Sequence, residues 1–189
     1  MLTASVFANF NGGTVVMIVL AILIAIYLFH LEKKQKSDPL AALYQQYATL
    51  TADTLNETAD EELVRAVAVN VMNRTDRRRP DVYALIPTLS HGQVAVYSIW
   101  LLTNELAATD LAALLATPSG RFAEPAMDGL ELVGAAQCAA ALKAAVDSPE
   151  DVALTEALRE ALDAERPLDL CVAYIRENPD EFTDSKGNV

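Results

Sequence analysis

Along residues 39–182 apolar positions recur every three to four residues and hardly ever alternate, a pattern that predicts helices and no sheet. Asp38-Pro39 supplies an N-cap and a first-turn proline for a helix through about Leu55, with Leu40, Leu43, Tyr47 and Leu50 on one side. Thr58 and Glu61 have capping-box spacing ahead of Leu63, Val67 and Val71. Residues 74–81 (RTDRRRPD) form a polar break, and Pro80 and Pro87 bracket a short apolar turn from Val82 to Ile86. Ser90 with Gln93 is a second capping box, opening a helix whose stripe holds Val94, Tyr97, Trp100 and Leu101. Asp110 caps a short helix from Leu111 to Ala116, and a further one from about Glu124 to Val133 stops at Gly134. The Ala-rich stretch from Ala135 to Val146 follows, then a long helix opened by Ser148-Pro149 and reaching about Glu165. A last helix, Leu168 to Glu177, precedes Asn178-Pro179. No Gly- or Ser-rich linker interrupts this succession, so residues 39–182 read as one compact all-α domain, with 183–189 as a flexible tail.

The N-terminal pattern is different. Residues 14–31 (TVVMIVLAILIAIYLFHL) contain no acidic or basic side chain, and eleven of the fifteen residues from Val15 to Phe29 are Val, Ile, Leu or Phe. At ~1.5 Å per residue the run spans about 27 Å, and its apolar residues favour insertion by roughly 3 to 7 kcal/mol. A cleaved signal peptide fits poorly, since residues 1–13 carry no basic residue and the run ends in aromatic and bulky side chains. A soluble core helix would show a polar face, and none is visible. The expectation is a single-pass transmembrane helix at 14–31, after a short extracytoplasmic tail at 1–13. A basic juxtamembrane segment follows at 32–38. Lys33, Lys34 and Lys36 place the C-terminal domain in the cytoplasm of a bacterial inner membrane, N-terminus out, with these lysines, Tyr27 and Phe29 as lipid contacts. Ala21 and Ala25 are spaced for a homodimer through this helix, although lipid-facing filler accounts for them more simply.

Charge changes the picture of the cytosolic part. Residues 32–100 hold eight basic and nine acidic side chains, whereas 101–189 hold six basic and seventeen acidic. Nearly the whole formal charge of −12 therefore sits in the C-terminal half. Candidate chemistry is sparse by comparison. The sequence contains no Gly-rich phosphate loop, no G-x-S-x-G, no H-E-x-x-H and no paired cysteine ligands. His30 and His91 stand apart from any Glu-x-x-His pattern, and Cys138 and Cys171 in apolar helical stretches read as buried free thiols. No enzyme, metal or cofactor is expected.

From Ser90 onward the succession VYSIWLLTNEL, LAALLATPSGRFAEPAMDGLELVGAAQCAAALKAA and YIRENPDEF resembles the bacterial DNA-mimic protein family. The resemblance covers about residues 90–182. Its matching points are the aromatic-rich helix ending in Glu105, the Ser119-Gly120 turn and the Ala126/Leu130/Val133-Gly134-Ala135 pattern. Ile175-Arg176-Glu177-Asn178-Pro179 with Phe182 completes it. It implies a small, acidic, all-helical domain of a family named for a member that imitates DNA towards a DNA-binding protein. One departure is at Ala108-Thr109-Asp110-Leu111, where the family usually has an Asn-Gly-Gly-Phe turn; Asp110 still caps the next helix.

Duplex DNA carries one negative charge per about 1.7 Å of axis, and a rigid helical surface of carboxylates offers comparable spacing to a basic cleft. The candidate partner-binding residues are Glu150, Asp151, Glu156, Glu160, Asp163 and Glu165 on the long helix, then Glu177, Asp180, Glu181 and Asp184. The plainer alternative is a solvated face partly neutralised by Arg159 and Arg166. Arg77-Arg78-Arg79 reads equally as a headgroup contact or as a loop paired with Asp76 and Asp81. Two function classes result. One is a membrane-anchored module binding a basic protein of DNA-binding type, with no direct contact to nucleic acid. The other is a structural subunit of a membrane complex, assembled through the transmembrane helix and apolar faces.

Overall fold

The computed structural model describes residues 39–75 and 80–184. The chain divides into two units, residues 1–45 and 46–189. In the first, helix α1 (Pro39–Gln46) is the described element. The second contains α2 (Ala52–Glu57), α3 (Asp60–Asn73), α4 (His91–Ala108), α5 (Leu111–Leu115), α6 (Ala123–Leu132), α7 (Ala136–Asp147), α8 (Val152–Glu165) and α9 (Pro167–Glu177). Short 3-10 turns cover Tyr83–Thr88, Pro118–Phe122 and Pro179–Glu181. Every described element is helical, as the periodicity predicts.

The expected single-pass architecture is corrected here. Among the described residues no helix is long and apolar enough to cross a membrane. The longest, α4, carries Gln93, Ser98, Thr103, Asn104 and Glu105 along its length, polar groups that a bilayer would not satisfy. The inner-membrane placement falls with that architecture. Residues 14–31, including Ala21, Ala25, Tyr27 and Phe29, lie outside the described residues, as do Lys33, Lys34, Lys36 and Arg77–Arg79. The bilayer as partner and a homodimer through that helix rest on the same stretch and find no support among the described residues.

In the second unit α4 is the axis. It packs against α3, α6 and α9, and buries Ala95, Val96, Ile99, Leu102 and Leu106. Ser90 caps it by accepting from the Gln93 amide at 3.0 Å, while the Gln93 side chain accepts from the Ser90 amide at 3.2 Å. That is the predicted capping box. Against it α3 sets Leu63, Val67 and Val71, α6 sets Ala126 and Leu130, and α9 sets Cys171 and Ile175. Gly129 lets α4 and α6 approach: a Cβ there would lie 2.9 Å from the Cα of Ala95. Beyond α6, the Ala-rich α7 packs on both α6 and α8. At the start of α4, Tyr83, Tyr97 and Phe122 form edge-on ring pairs at 5.3 Å.

Several boundaries differ from the expectation. The helix expected to run through Leu55 stops at Gln46; Tyr47 and Leu50 are buried as loop residues, and Thr51 caps α2 by accepting from the Thr54 amide. The Thr58–Glu61 box does not form. The Thr58 hydroxyl donates instead to the Thr54 carbonyl at 2.7 Å, and α3 begins at Asp60 with Asp60, Glu61 and Glu62 in its first turn favouring the helix dipole. Asp151, not Ser148, caps the long helix α8, through the Ala153 amide at 2.9 Å. Asp110 and Gly134 (φ +87°) cap and stop their helices as expected.

After α9 the chain folds back over the unit as a strap. Phe182 is fully buried, edge-on to the Tyr174 ring at 6.2 Å. Beside it the Ser90 hydroxyl donates to the Glu181 carbonyl at 2.6 Å. Asp184 then accepts from the Leu50 amide at 2.7 Å, the Asn70 side chain at 3.1 Å and Arg74 at 2.6 Å. Arg176 of α9 clamps the α2–α3 junction, donating to the carbonyls of Leu55 and Thr58 and pairing with Asp60.

Candidate functional site

The strongest chemical feature of the second unit is the distribution of its carboxylates, because the cations leave most of them uncompensated. Each of the seven basic side chains among the described residues is already engaged. Arg65 pairs with Glu62, Arg74 with Asp184, Arg121 with Asp81, Lys143 with Asp147, Arg159 with Glu156, Arg166 with Asp169 and Arg176 with Asp60. Arg121 also lies 4.6 Å from the centre of the Tyr83 ring. Its guanidinium holds the Asp81 carboxyl below the usual range, mainly through their hydrogen bond. Asp81 is thus bound by Arg121, while its expected partners, Arg77–Arg79, lie outside the described residues.

Helix α8 buries Thr155 and Leu158 and leaves Glu156, Glu160 and Asp163 exposed. The spacing i, i+4, i+7 places them on one face, about 6 and 4.5 Å apart along the axis. Arg159, expected to neutralise this row, turns away in part: besides Glu156 at 2.5 Å it donates to the Thr109 carbonyl at 3.1 Å, at the end of α4. Arg166, the only described non-glycine residue with positive φ (50°), makes the tight turn into α9 and binds Asp169. Glu160 and Asp163 have no cation partner among the described residues. Glu150 and Asp151 extend the negative charge at the start of α8, and Glu177 and Asp180 are exposed at and after the end of α9.

Besides Asp184, held by Leu50, Asn70 and Arg74, two more of the expected face residues do other work. Glu165 accepts from the amides of Gln137 at 3.2 Å and Cys138 at 2.8 Å, capping the dipole of α7. Desolvation pushes its carboxyl up, but these amide bonds outweigh that and hold it below the usual range. Burial, aided by Glu165, pushes the Cys138 thiol up to about 12, and burial alone does the same to Cys171. Both are free, buried and protonated, hence unreactive. Glu181 is similarly absorbed: it accepts from the Gly92 amide at 2.6 Å and the Tyr174 hydroxyl at 2.8 Å.

The periodicity also holds a second row. Glu124, Asp128 and Glu131 repeat the i, i+4, i+7 pattern on α6, all without cation partners among the described residues. The signal was present in the sequence, but Ala126 and Leu130 between them direct attention to the core face. Because α7 packs on both α6 and α8, the two rows stand on the helices flanking one Ala-rich helix. Among the described residues no group of His, Cys, Asp or Glu is arranged to hold a metal ion.

A family model described as DMP19-like protein matches residues 87–186. The chain belongs to this family. The DMP19-like match covers the segment that resembles the bacterial DNA-mimic family, and it takes in α4 to α9 and both carboxylate rows. No curated protein and no solved structure matches the chain.

Tyr174 offers a direct readout of the strap. Desolvation, with the Glu181 hydrogen bond and charge, raises its phenol from the ordinary 10.0 to about 12. In the unfolded chain it ionises near the ordinary value, so its contribution to stability is present below pH 10.0 and is lost as pH rises towards about 12. In a tyrosinate absorbance titration Tyr174 is expected to ionise near pH 12, and Glu181→Gln should bring that step down. A titration unchanged by the substitution would sink the Tyr174–Glu181 coupling.

Proposed function

We propose that this DMP19-like chain is a non-catalytic interaction module that binds a basic protein of DNA-binding type, offering carboxylates where that protein takes phosphates. The observation that carries the reading is the pair of carboxylate rows, Glu124/Asp128/Glu131 and Glu156/Glu160/Asp163, in a unit whose described cations are all paired. A proteinaceous anion of this kind steers a cationic partner to itself at low ionic strength and loses it as salt screens the field. Rigid helices hold the charges in register, which solvating side chains on loops would not. Asp151, Glu150, Glu177 and Asp180 widen the anionic surface; Glu165 and Glu181 support it from within.

Assembly through apolar faces has less to draw on. Among the described residues, Val152 is the large hydrophobic side chain that stands strongly exposed, at 73%.

Immobilised protein exposed to a lysate at low salt is expected to retain basic proteins that added duplex DNA releases. Raising the salt should release them too. Glu150→Gln with Glu160→Gln and Asp163→Asn should lower the recovery several-fold, because these carboxylates have no structural partner to lose. Retained proteins that duplex DNA fails to displace would overturn the reading, since a DNA-like surface must compete with DNA for the same cleft.

A further inference from the structure

Between the first turn of α4 and the helix α6 lies an open groove of about 180 Å³. Its floor is Ala95 and Gly129, at the point where the missing side chain of Gly129 lets the two helices touch. Ile86, Val94 and Pro125 make the walls apolar. His91, Glu124 and Asp128 complete the lining, the two carboxylates one helical turn apart on α6.

We propose that this groove receives one arginine side chain of a protein partner. The volume is on the scale of a single long side chain and far too small for a helix. Apolar walls with carboxylates beside them fit a side chain that buries its methylene stem and keeps its charge at the mouth. Two carboxylates at i, i+4 suit the planar fork of a guanidinium, and His91 borders the same groove as a flat ring beside which a planar group packs better than a lysine ammonium. None of the described cations of the chain fills the groove itself: Arg121, the nearest in sequence, is held by Asp81 at 2.7 Å and by the Tyr83 ring. A metal ion is a poor occupant, because the three polar groups do not form a ligand set.

The inference rests on the basic-partner reading for its biological occupant, but its test does not. Backbone amide spectra of the whole protein are titrated with acetyl-arginine-amide, acetyl-lysine-amide and acetyl-norleucine-amide. Saturable shifts at Ala95 and Gly129 are expected with the arginine probe, weaker ones with lysine and none with norleucine. Glu124→Gln with Asp128→Asn should weaken arginine binding about tenfold through loss of two partly exposed ion pairs. Glu160→Gln with Asp163→Asn should leave it unchanged. A spectrum that retains its dispersion shows that each variant is folded. Equal responses to lysine or norleucine would overturn the proposal, as would arginine shifts spread over both carboxylate rows without saturation at the groove. If the arginine probe binds but no basic protein is captured, the groove stands and the partner reading fails. If a DNA-displaceable partner is captured equally well by Glu124→Gln with Asp128→Asn, the groove is not its arginine site and the α6 row drops out of the partner surface, leaving the α8 row to carry it.

Discussion

Phe182→Ala is expected to destabilise the second unit by about 3–5 kcal/mol, the usual cost of emptying a buried aromatic site. A domain of this size has a net stability of only about 5–15 kcal/mol, so the variant should be close to unfolding. The expectation is at the upper end because Phe182 is an anchor as well as filler. Its ring is fully buried against Tyr174 and lies where a side chain on Gly92 would intrude, 2.8 Å from the position of that Cβ. With it gone, Glu181 no longer holds the first turn of α4 and Asp184 no longer holds Leu50, Asn70 and Arg74. Urea unfolding monitored by circular dichroism measures the loss. Phe182→Leu, which keeps most of the apolar volume, should cost far less. A loss below about 1 kcal/mol for Phe182→Ala would mean that the strap is peripheral, contrary to its burial.

The second large effect is expected from Gly129→Val. The new Cβ would sit 2.9 Å from the Cα of Ala95 and 3.1 Å from its Cβ and carbonyl oxygen. Those neighbours are mainly backbone, so relief requires the two helices to separate along the most extensive contact in the unit. Removing a mid-helix glycine should gain up to about 1 kcal/mol of helix propensity, and overpacking should cost about 3 kcal/mol or more. The net effect is destabilisation, with Trp100 fluorescence reporting the shift of α4. Gly134→Ala is a useful contrast. Its added Cβ meets nothing within 4 Å, and the penalty there comes only from its φ of +87°. If Gly129→Val left the midpoint of unfolding unchanged, the close approach of α4 and α6 would be disproved.

Where a structural cause lies within one turn of sequence, the sequence displays it. Ser90 with Gln93, Asp110 and Gly134 fall where their local chemistry places them, because each cap bonds an amide three residues away or needs only its own φ. Thr58 has the same local appearance and fails, because a competing carbonyl, that of Thr54, lies at hydrogen-bond distance once α2 forms. The helix expected over 39–55 breaks for a similar reason: Tyr47 and Leu50 satisfy a helical period but find burial in a loop. At the acidic surface the α8 row was legible, since exposure of Glu156, Glu160 and Asp163 follows from burial of Leu158. Glu165 and Glu181 were not. Their amide partners, Gln137 and Gly92, are 28 and 89 residues away, so nothing in the surrounding sequence distinguishes them from solvated carboxylates. The membrane expectation was drawn from the hydropathy of residues 14–31 and the charges flanking them, which lie outside the described residues, and no helix among the described residues is long and apolar enough to cross a membrane.

The strap also sets an order of events during synthesis. Asp184 binds the amide of a residue 134 positions earlier, and Phe182 is buried against the start of α4. On the ribosome, therefore, the α4 amide at Gly92 and the burial site beside it must wait until nearly the whole domain has emerged. Until that moment Tyr174 and the apolar face of α9 have no lid, and the nascent chain is a substrate for chaperones and proteases in a way the finished one is not.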